Sequence, residues 1–255
     1  MSVPVSVRAV RKSYGTKDGP VHALGPLDLE VGSGRFVSLV GPSGCGKSTL
    51  LLMIAGLLPL SDGAITVAGS PVTGPQTEIG IVFQGSVLVD WRDALGNVLL
   101  QVELRGHRRR DYLDRAMKLL ESVGLKDFAR RYPHELSGGM QQRTAFCRAL
   151  IHDPPLILMD EPLGALDAMT REQLRTDLER LWLANGKTVI LVTHSIEEAV
   201  QLSDLVVVIS PRPGRIVEAV AIDLPRPRTL AVRQGAAFQK LVGDIKEIFM
   251  GYGVI

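Results

Sequence analysis

Arg35-Phe36-Val37-Ser38-Leu39-Val40-Gly41-Pro42-Ser43-Gly44-Cys45-Gly46-Lys47-Ser48-Thr49 passes from an apolar run into a glycine-rich turn and ends on Lys-Ser-Thr. Gly41 to Ser48 match the spacing GxxxxGK[ST] in full. The glycines let successive backbone N–H groups turn inward around an anion, and a following helix aims the positive end of its dipole at the same charge. On this reading Gly41, Pro42, Ser43, Gly44, Cys45, Gly46, Lys47, Ser48 and Thr49 cradle nucleotide phosphates. Lys47 would neutralise the β and γ phosphates, and Ser48 would ligate Mg²⁺.

A strand before that loop and a helix after it set the pattern for the rest. Residues 79–83, 156–159, 188–192 and 205–209 are short runs rich in Val, Ile and Leu, the composition of parallel strands covered on both faces. The first thirty residues alternate apolar and polar side chains instead, as an antiparallel layer does. Residues 111–123 carry apolar side chains at helical spacing and stop at Gly124, and a second helix is expected over residues 139–151. The Pro- and Arg-rich stretch 210–228 reads as turns around a short strand, followed by a C-terminal helix.

Composition removes several classes of protein. The 255 residues hold 29 Lys and Arg against 27 Asp and Glu, a formal net charge of +2, which makes no case for broad nucleic-acid binding. The most apolar stretch, residues 50–60, is broken by Gly56 and Pro59 and falls well short of the roughly 20 residues a bilayer span requires. No secretory signal is expected from Met1-Ser2-Val3-Pro4. Cys45 and Cys147 form no disulfide framework and fit no metal-ligand spacing, as in a reducing compartment.

Two further segments carry chemistry. The strand 156–159 runs into Asp160 and Glu161, and adjacent acids at the C-terminal edge of a buried strand are costly unless a cation or a reacting water compensates. Asp160 would hold Mg²⁺, and Glu161 would polarise the water that attacks the γ-phosphate. Leu136-Ser137-Gly138-Gly139-Met140-Gln141 opens a helix with a hydroxyl and two glycines; by itself Ser137 reads as an N-cap.

GPSGCGKST, LSGGM, LILMDEP, Ala165-Leu166-Asp167 and a histidine after a strand, His194, occur in an order that resembles the ATPase subunit of ABC transporters. The resemblance implies an α/β fold: a P-loop NTPase (RecA-like) core with a mainly parallel sheet, an N-terminal antiparallel β layer and a helical subdomain insertion. One domain is expected, with residues 1–85 and 156–225 as nucleotide-binding core, 86–155 as helical subdomain, and 226–255 as C-terminal helical tail. ATP and Mg²⁺ are the implied cofactors. A second copy of the chain is the implied partner, in a head-to-tail homodimer where Ser137, Gly138 and Gly139 bind the γ-phosphate of the other subunit's ATP. Gln84 would touch Mg²⁺ and the attacking water, His194 the γ-phosphate, Tyr14 the adenine, and Asp167 the opposite phosphate loop.

Further partners implied are transmembrane permease subunits and, indirectly, a periplasmic or lipid-anchored solute-binding protein, with no nucleic acid. The chain would then sit at the cytoplasmic face of the inner membrane. Ser210-Pro211-Arg212-Pro213-Gly214-Arg215 and Leu224-Pro225-Arg226-Pro227-Arg228 resemble the nitrate, sulfonate and taurine importer group. Residues 84–97 are expected to form an exposed loop whose Trp91 could meet the permease. Cys45 reads as a small residue that fits its turn; its place near a helix start also implies a lowered thiol pKa, in which case alkylation would block ATP binding. Arg105, His107, Arg108, Arg109 and Arg110 read as a solvated loop of the insertion, as do Arg130 and Arg131. Met140 stands where the signature usually has Gln.

Other classes fit less. A soluble ABC ATPase acting on nucleic acid or ribosomes usually has two cassettes or a long coiled-coil insertion. A small-molecule kinase would leave LSGGM and His194 idle, and Gly41-Pro42-Ser43-Gly44-Cys45 lacks the last glycine of a GxSxG hydrolase.

Overall fold

The computed structural model describes residues 1–17, 19–164 and 166–252. Ala165, part of the Ala165-Leu166-Asp167 motif, lies outside them.

β1 (Val5–Thr16) and β2 (Gly19–Val31) form a long hairpin, with Val5 opposite Val31. β3 (Phe36–Val40) leads into the phosphate loop and α1 (Lys47–Ile54). The chain then returns to the hairpin through β4 (Asp62–Val67) and the short β5 (Ser70–Pro71). These strands form an antiparallel sheet in the order β2-β1-β4-β5. Val5, Val7, Val10, Leu27 and Leu29 turn to one face because side chains alternate along a strand, and that face lies over α1.

After β6 (Gly80–Val82) come three helices, α2 (Ala94–Leu104), α3 (Leu113–Ser122) and α4 (Gly138–Leu150). β7 (Leu156–Asp160), α5 (Ala168–Asn185), β8 (Thr188–Thr193), α6 (Ile196–Leu202), β9 (Leu205–Ile209) and β10 (Ile216–Ala221) follow. The chain closes with α7 (Leu230–Gln234) and α8 (Ala236–Gly251). The second sheet has the order β10-β9-β3-β8-β7-β6, parallel except for β10 at its edge. Every residue of β3 and β8 is buried, as expected of strands rich in Val, Ile and Leu and covered on both faces; Ser38, Thr188 and Thr193 are buried with them.

Four apolar clusters hold the layers. Leu50, Leu51, Met53 and Ile54 of α1 fill the space between the two sheets. Phe146 of α4 and Leu174 and Leu178 of α5 cover the opposite face near β7 and β8. Leu99, Val102, Leu120 and Cys147 join α2, α3 and α4 into a separate cluster, so the helical segment has its own core. Phe238, Val242, Ile245 and Phe249 of α8 lie against α6 and β9.

The Pro- and Arg-rich stretch does more than turn the chain. Arg228 is buried and donates from Nη1 to the carbonyls of Val200 and Ser203, at 2.8 and 2.6 Å. Arg226 pairs with Glu179 and Asp204 and lies over the Trp182 ring, 4.3 Å from its centroid. Burial draws the Arg228 guanidinium down to about 10, which leaves it charged at neutral pH. These two residues fasten the C-terminal segment to α5 and α6.

α5 and α2 are among the helices that the sequence expectations did not include. Half of the residues that α5 buries are acidic, Asp177 and Glu179 beside Leu174 and Leu178, so its apolar stripe is interrupted. α2 begins inside the stretch 84–97 that reads as an exposed loop. Trp91 and Val87 are exposed, but Ala94, Leu95 and Asn97 are buried. Asn97 ties the preceding loop down, accepting from the Val89 N–H at 2.7 Å and donating to the Arg92 carbonyl at 2.9 Å.

Leu99 is fully buried between α2, α3 and α4. Leu99→Ala is expected to cost about 2–5 kcal/mol in urea denaturation, the range for truncating a buried leucine. A loss under about 0.5 kcal/mol, the size of a surface change, would contradict this packing.

Candidate functional site

The phosphate loop is moulded by its neighbours. Gly44 and Gly46 have φ of +74° and +101°, a region open to glycine and strained for other residues. A Cβ at Gly46 would lie 2.6 Å from Leu24 Cδ2, and one at Gly41 would lie 2.7 Å from the Ile209 carbonyl oxygen. Lys47 Nζ donates to the carbonyls of Gly41 and Pro42, both at 2.9 Å, and its side chain is 5% exposed. The ammonium is thus folded over the loop it is expected to serve.

Strand ends supply the acids. β7 lies two strands from β3, with β8 between them, and its end brings Asp160 to α1, where Ser48 Oγ donates to Asp160 Oδ1 at 2.7 Å. Burial raises the Asp160 carboxyl above its ordinary range; the Ser48 hydrogen bond opposes that shift and the neighbouring Glu161 adds to it. Glu161 has φ +43°, an uncommon left-handed conformation for a side chain with a Cβ, in the turn that leaves β7. Its N–H donates to the Val192 carbonyl at 2.9 Å. From β8, His194 Nδ1 reaches Glu161 Oε2 at 3.2 Å. A Cβ at Gly164 would lie 3.7 Å from His194 Cε1 and 3.8 Å from Gln84 Nε2, so Gln84 and His194 converge on this turn.

A cleft of about 460 Å³ opens over the loop, lined by Tyr14, Thr16, Ser43, Lys47, Ser48 and Glu161 among others. Its lining also includes Thr49, Gly44, Gly46 and a residue the motifs did not single out, Arg212. The signal for Arg212 lay in the SPRPGR stretch, read there only as turn and family likeness. Tyr14 is 39% exposed, and Lys12 Nζ lies 5.0 Å from its ring centroid.

Ser137, Gly138 and Gly139 are not part of that cleft's lining. Ser137 caps α4, accepting from the Met140 N–H at 3.3 Å. A Cβ at Gly139 would lie 2.2 Å from Thr170 Cγ2, so the start of α4 is pressed against the start of α5. Asp167 caps α5, accepting from the N–H groups of Met169 and Thr170 at 3.1 and 3.0 Å. Hydrogen bonds from Thr170, chiefly, hold its carboxyl below the usual range. Met140 packs partly into the helical core.

Residues on α4 also grip the loop after β6. Gln142 Nε2 donates to the Phe83 carbonyl at 3.1 Å, one residue before Gln84, and Arg148 donates to the carbonyls of Ser86 and Val87 at 2.9 and 2.7 Å. Sequence reasoning missed this strap, because single polar side chains on a helix resemble any solvated face. The basic loop is mostly paired: Arg109 with Glu103 and Arg110 with Asp111, while Arg105 differs from expectation by crossing to the Thr77 carbonyl. Arg130 and Arg131 pair with Asp93 and Glu135.

Oxygen donors suit Mg²⁺, which keeps few protein ligands and leans on substrate phosphates. Ser48 and Asp160 are such a pair, and a cation beside them would relieve the desolvated carboxylate. Among the described residues there is no cluster of three or more His, Cys, Asp or Glu that could hold a metal ion.

Cys45 corrects one expectation. It is 1% exposed, and burial raises its thiol despite the neighbouring Lys47 and the helix start. Cys147 is pushed up to about 12 by burial. Both sulfurs are therefore thiols at neutral pH, and the thiolate is the reactive form. Iodoacetamide at pH 7.5 is expected to label neither cysteine in the folded chain and both in denaturant, read by mass spectrometry; rapid native labelling of Cys45 would contradict the buried loop.

The family model described as "ABC transporter" matches residues 24–164. An uncharacterized ABC transporter ATP-binding protein of Methanocaldococcus jannaschii is 47% identical over 96% of this chain and 92% of its own length. The taurine import ATP-binding protein TauB of a Jannaschia species is 49% identical over 78% of this chain and 74% of its own. The aliphatic sulfonates import ATP-binding protein SsuB of Yersinia pestis is 45% identical, covering 92% and 80%. Among solved structures, a dimeric structure of the ABC transporter cassette MJ0796 is 33% identical with a TM-score of 0.77, over 86% of this chain and 98% of that one. A post-hydrolysis state of the same cassette, bound to ADP and Pi, gives 0.75. The chain belongs to the ABC transporter family, as an ATP-binding subunit that hydrolyses ATP.

Proposed function

We propose that this chain powers the import of small solutes of the taurine and sulfonate kind, working as a head-to-tail pair on permease subunits at the cytoplasmic face of the membrane. A periplasmic or lipid-anchored binding protein would deliver the solute. The relatives' names support the solute class. No described helix is long and apolar enough to cross a membrane, so a membrane task falls to partners. Val87 and Trp91, 63% and 79% exposed on the loop strapped to α4, offer an apolar place for them to dock.

One observation carries the reading. The phosphate loop and Glu161 line one cleft, with Asp160 bonded to Ser48 and His194 to Glu161 at the same strand ends, while Ser137 to Gly139 are bonded to none of these groups and do not line it. A chain with two phosphate-gripping elements that do not meet is half of two sites. Residues 1–85 and 156–225 then form the nucleotide-binding core, 86–155 the arm that carries the second grip, and 226–255 the tail that braces them.

In this mechanism Lys47 leaves the carbonyls of Gly41 and Pro42 for the phosphates, a short swing of a flexible ammonium. Ser48, Asp160 and Gln84 would hold Mg²⁺, which supplies neutralisation of phosphate charge when bound. Tyr14 would stack on adenine. Glu161 orients and polarises the attacking water, and His194, already paired with it, turns to the γ-phosphate. The partner's copy of Ser137, Gly138 and Gly139 would close over that phosphate, with its Asp167 beside the facing loop. Such catalysis is mostly positioning and charge stabilisation.

Glu161→Gln is expected to bind ATP yet turn over at least about a hundredfold more slowly, as loss of a general base requires. The same variant should run as an ATP-stabilised dimer in gel filtration. Turnover at the wild-type rate would remove Glu161 from its role.

A further inference from the structure

The loop after β9 is pressed against the phosphate loop from the side opposite β8. Gly214 donates to the Ala23 carbonyl and accepts from the Gly25 N–H, both at 3.0 Å. A Cβ on Gly214 would lie 2.0 Å from the Cys45 carbonyl oxygen, so only glycine lets the two loops touch this closely. That contact fixes Arg212, two residues earlier. Its Nε and Nη2 both donate to the Gly44 carbonyl, at 3.3 and 3.2 Å, and the side chain lines the same cleft as Tyr14, Ser43 and Lys47.

The remaining donors of its guanidinium point away from that carbonyl. Among the described residues, Arg212 Nη1 has no hydrogen-bond partner, and no carboxylate lies within ion-pair distance of the guanidinium. On this side the cleft is bounded by Thr16, Val21 and Ala23, which carry no charge. A guanidinium anchored through one edge keeps a planar fork on its other edge, the geometry that suits phosphate oxygens.

We propose that Arg212 is a nucleotide-binding residue, whose guanidinium is held by the Gly44 carbonyl and presents its free N–H groups to the phosphate chain of bound ATP or ADP. The proposal rests on the cleft being the ATP site. Arg212 contacts ground state and transition state alike, so it contributes binding rather than rate acceleration. The hydrogen bond to Gly44 alone would make Arg212 a brace for the loop; the phosphate contact adds a charge that salt screens.

The test measures ATP and ADP affinity by calorimetry at two salt concentrations, with steady-state hydrolysis, for wild type, Arg212→Ala, Arg212→Lys, Arg215→Ala and Lys47→Ala. Arg215 belongs to the same loop but its side chain lies by Gly25, so it reports on the loop's integrity. Arg212→Ala should lose about tenfold in affinity for both nucleotides, the size of a charge-assisted hydrogen bond. Its KM for ATP should rise with kcat little changed, and its affinity should depend less steeply on salt. Arg212→Lys should recover part of the loss and Arg215→Ala should bind as wild type. Wild-type affinity in Arg212→Ala overturns the proposal, as does an equal loss in Arg215→Ala. Undiminished affinity in Lys47→Ala would instead overturn the cleft as the ATP site.

Discussion

The close approach of three backbone segments around one turn governs the rest of the architecture. Gly41 lies against the end of β9, Gly46 against Leu24 of the antiparallel sheet, and Cys45 against Gly214 of the loop after β9. None of these contacts leaves space for a Cβ, and together they hold the turn in a shape whose N–H groups can face an anion. The two sheets are therefore joined at the phosphate loop as well as through the apolar packing of α1. A change that loosens any of the three would blur the pocket before it unfolded the chain.

Parallel strands then do the work of assembly. Because β3, β7 and β8 run in the same direction, their C-terminal ends bring together a lysine, a carboxylate pair and a histidine that are far apart in sequence. Burial makes this arrangement unfavourable for Asp160, whose carboxyl is pushed upward, and Glu161 sits in a strained turn. On the proposed mechanism both features would be relieved or used when a cation and a triphosphate arrive, and strain of this kind clusters at functional sites. The helical segment, with its own core, carries Ser137 to Gly139 as a separate unit and reaches back to the Gln84 loop through Gln142 and Arg148.

Much of this was legible from local chemistry. GxxxxGK[ST] encodes its turn through glycine, and the buried strands announce themselves by short runs rich in Val, Ile and Leu. The signals that stayed hidden were those whose meaning is set by tertiary neighbours. α5 buries Asp177 and Glu179 beside its leucines, so its periodicity reads as polar. Leu224 to Arg228 reads as a turn, although the partly buried Arg226 and the buried Arg228 are clamps whose carboxylate and carbonyl partners only the folded chain assembles. Cys45 is the small buried residue its turn suggests, and the lowered thiol pKa also implied by its helix start is overridden by burial. Arg212 could be placed only once the loop after β9 was seen to touch Gly44.

The central claim is that each chain holds two incomplete halves of different ATP sites. Gly138 has open space around it within the chain, so Gly138→Asp can block the grip on a neighbour's phosphate without disturbing this fold. Heteromers of Lys47→Ala and Gly138→Asp chains, isolated with two affinity tags, measure the claim through ATP hydrolysis. The account predicts that neither variant hydrolyses ATP with its own kind and that the heteromer does, because one of its sites inherits no defect. A folded, assembled heteromer as silent as its parents would contradict it.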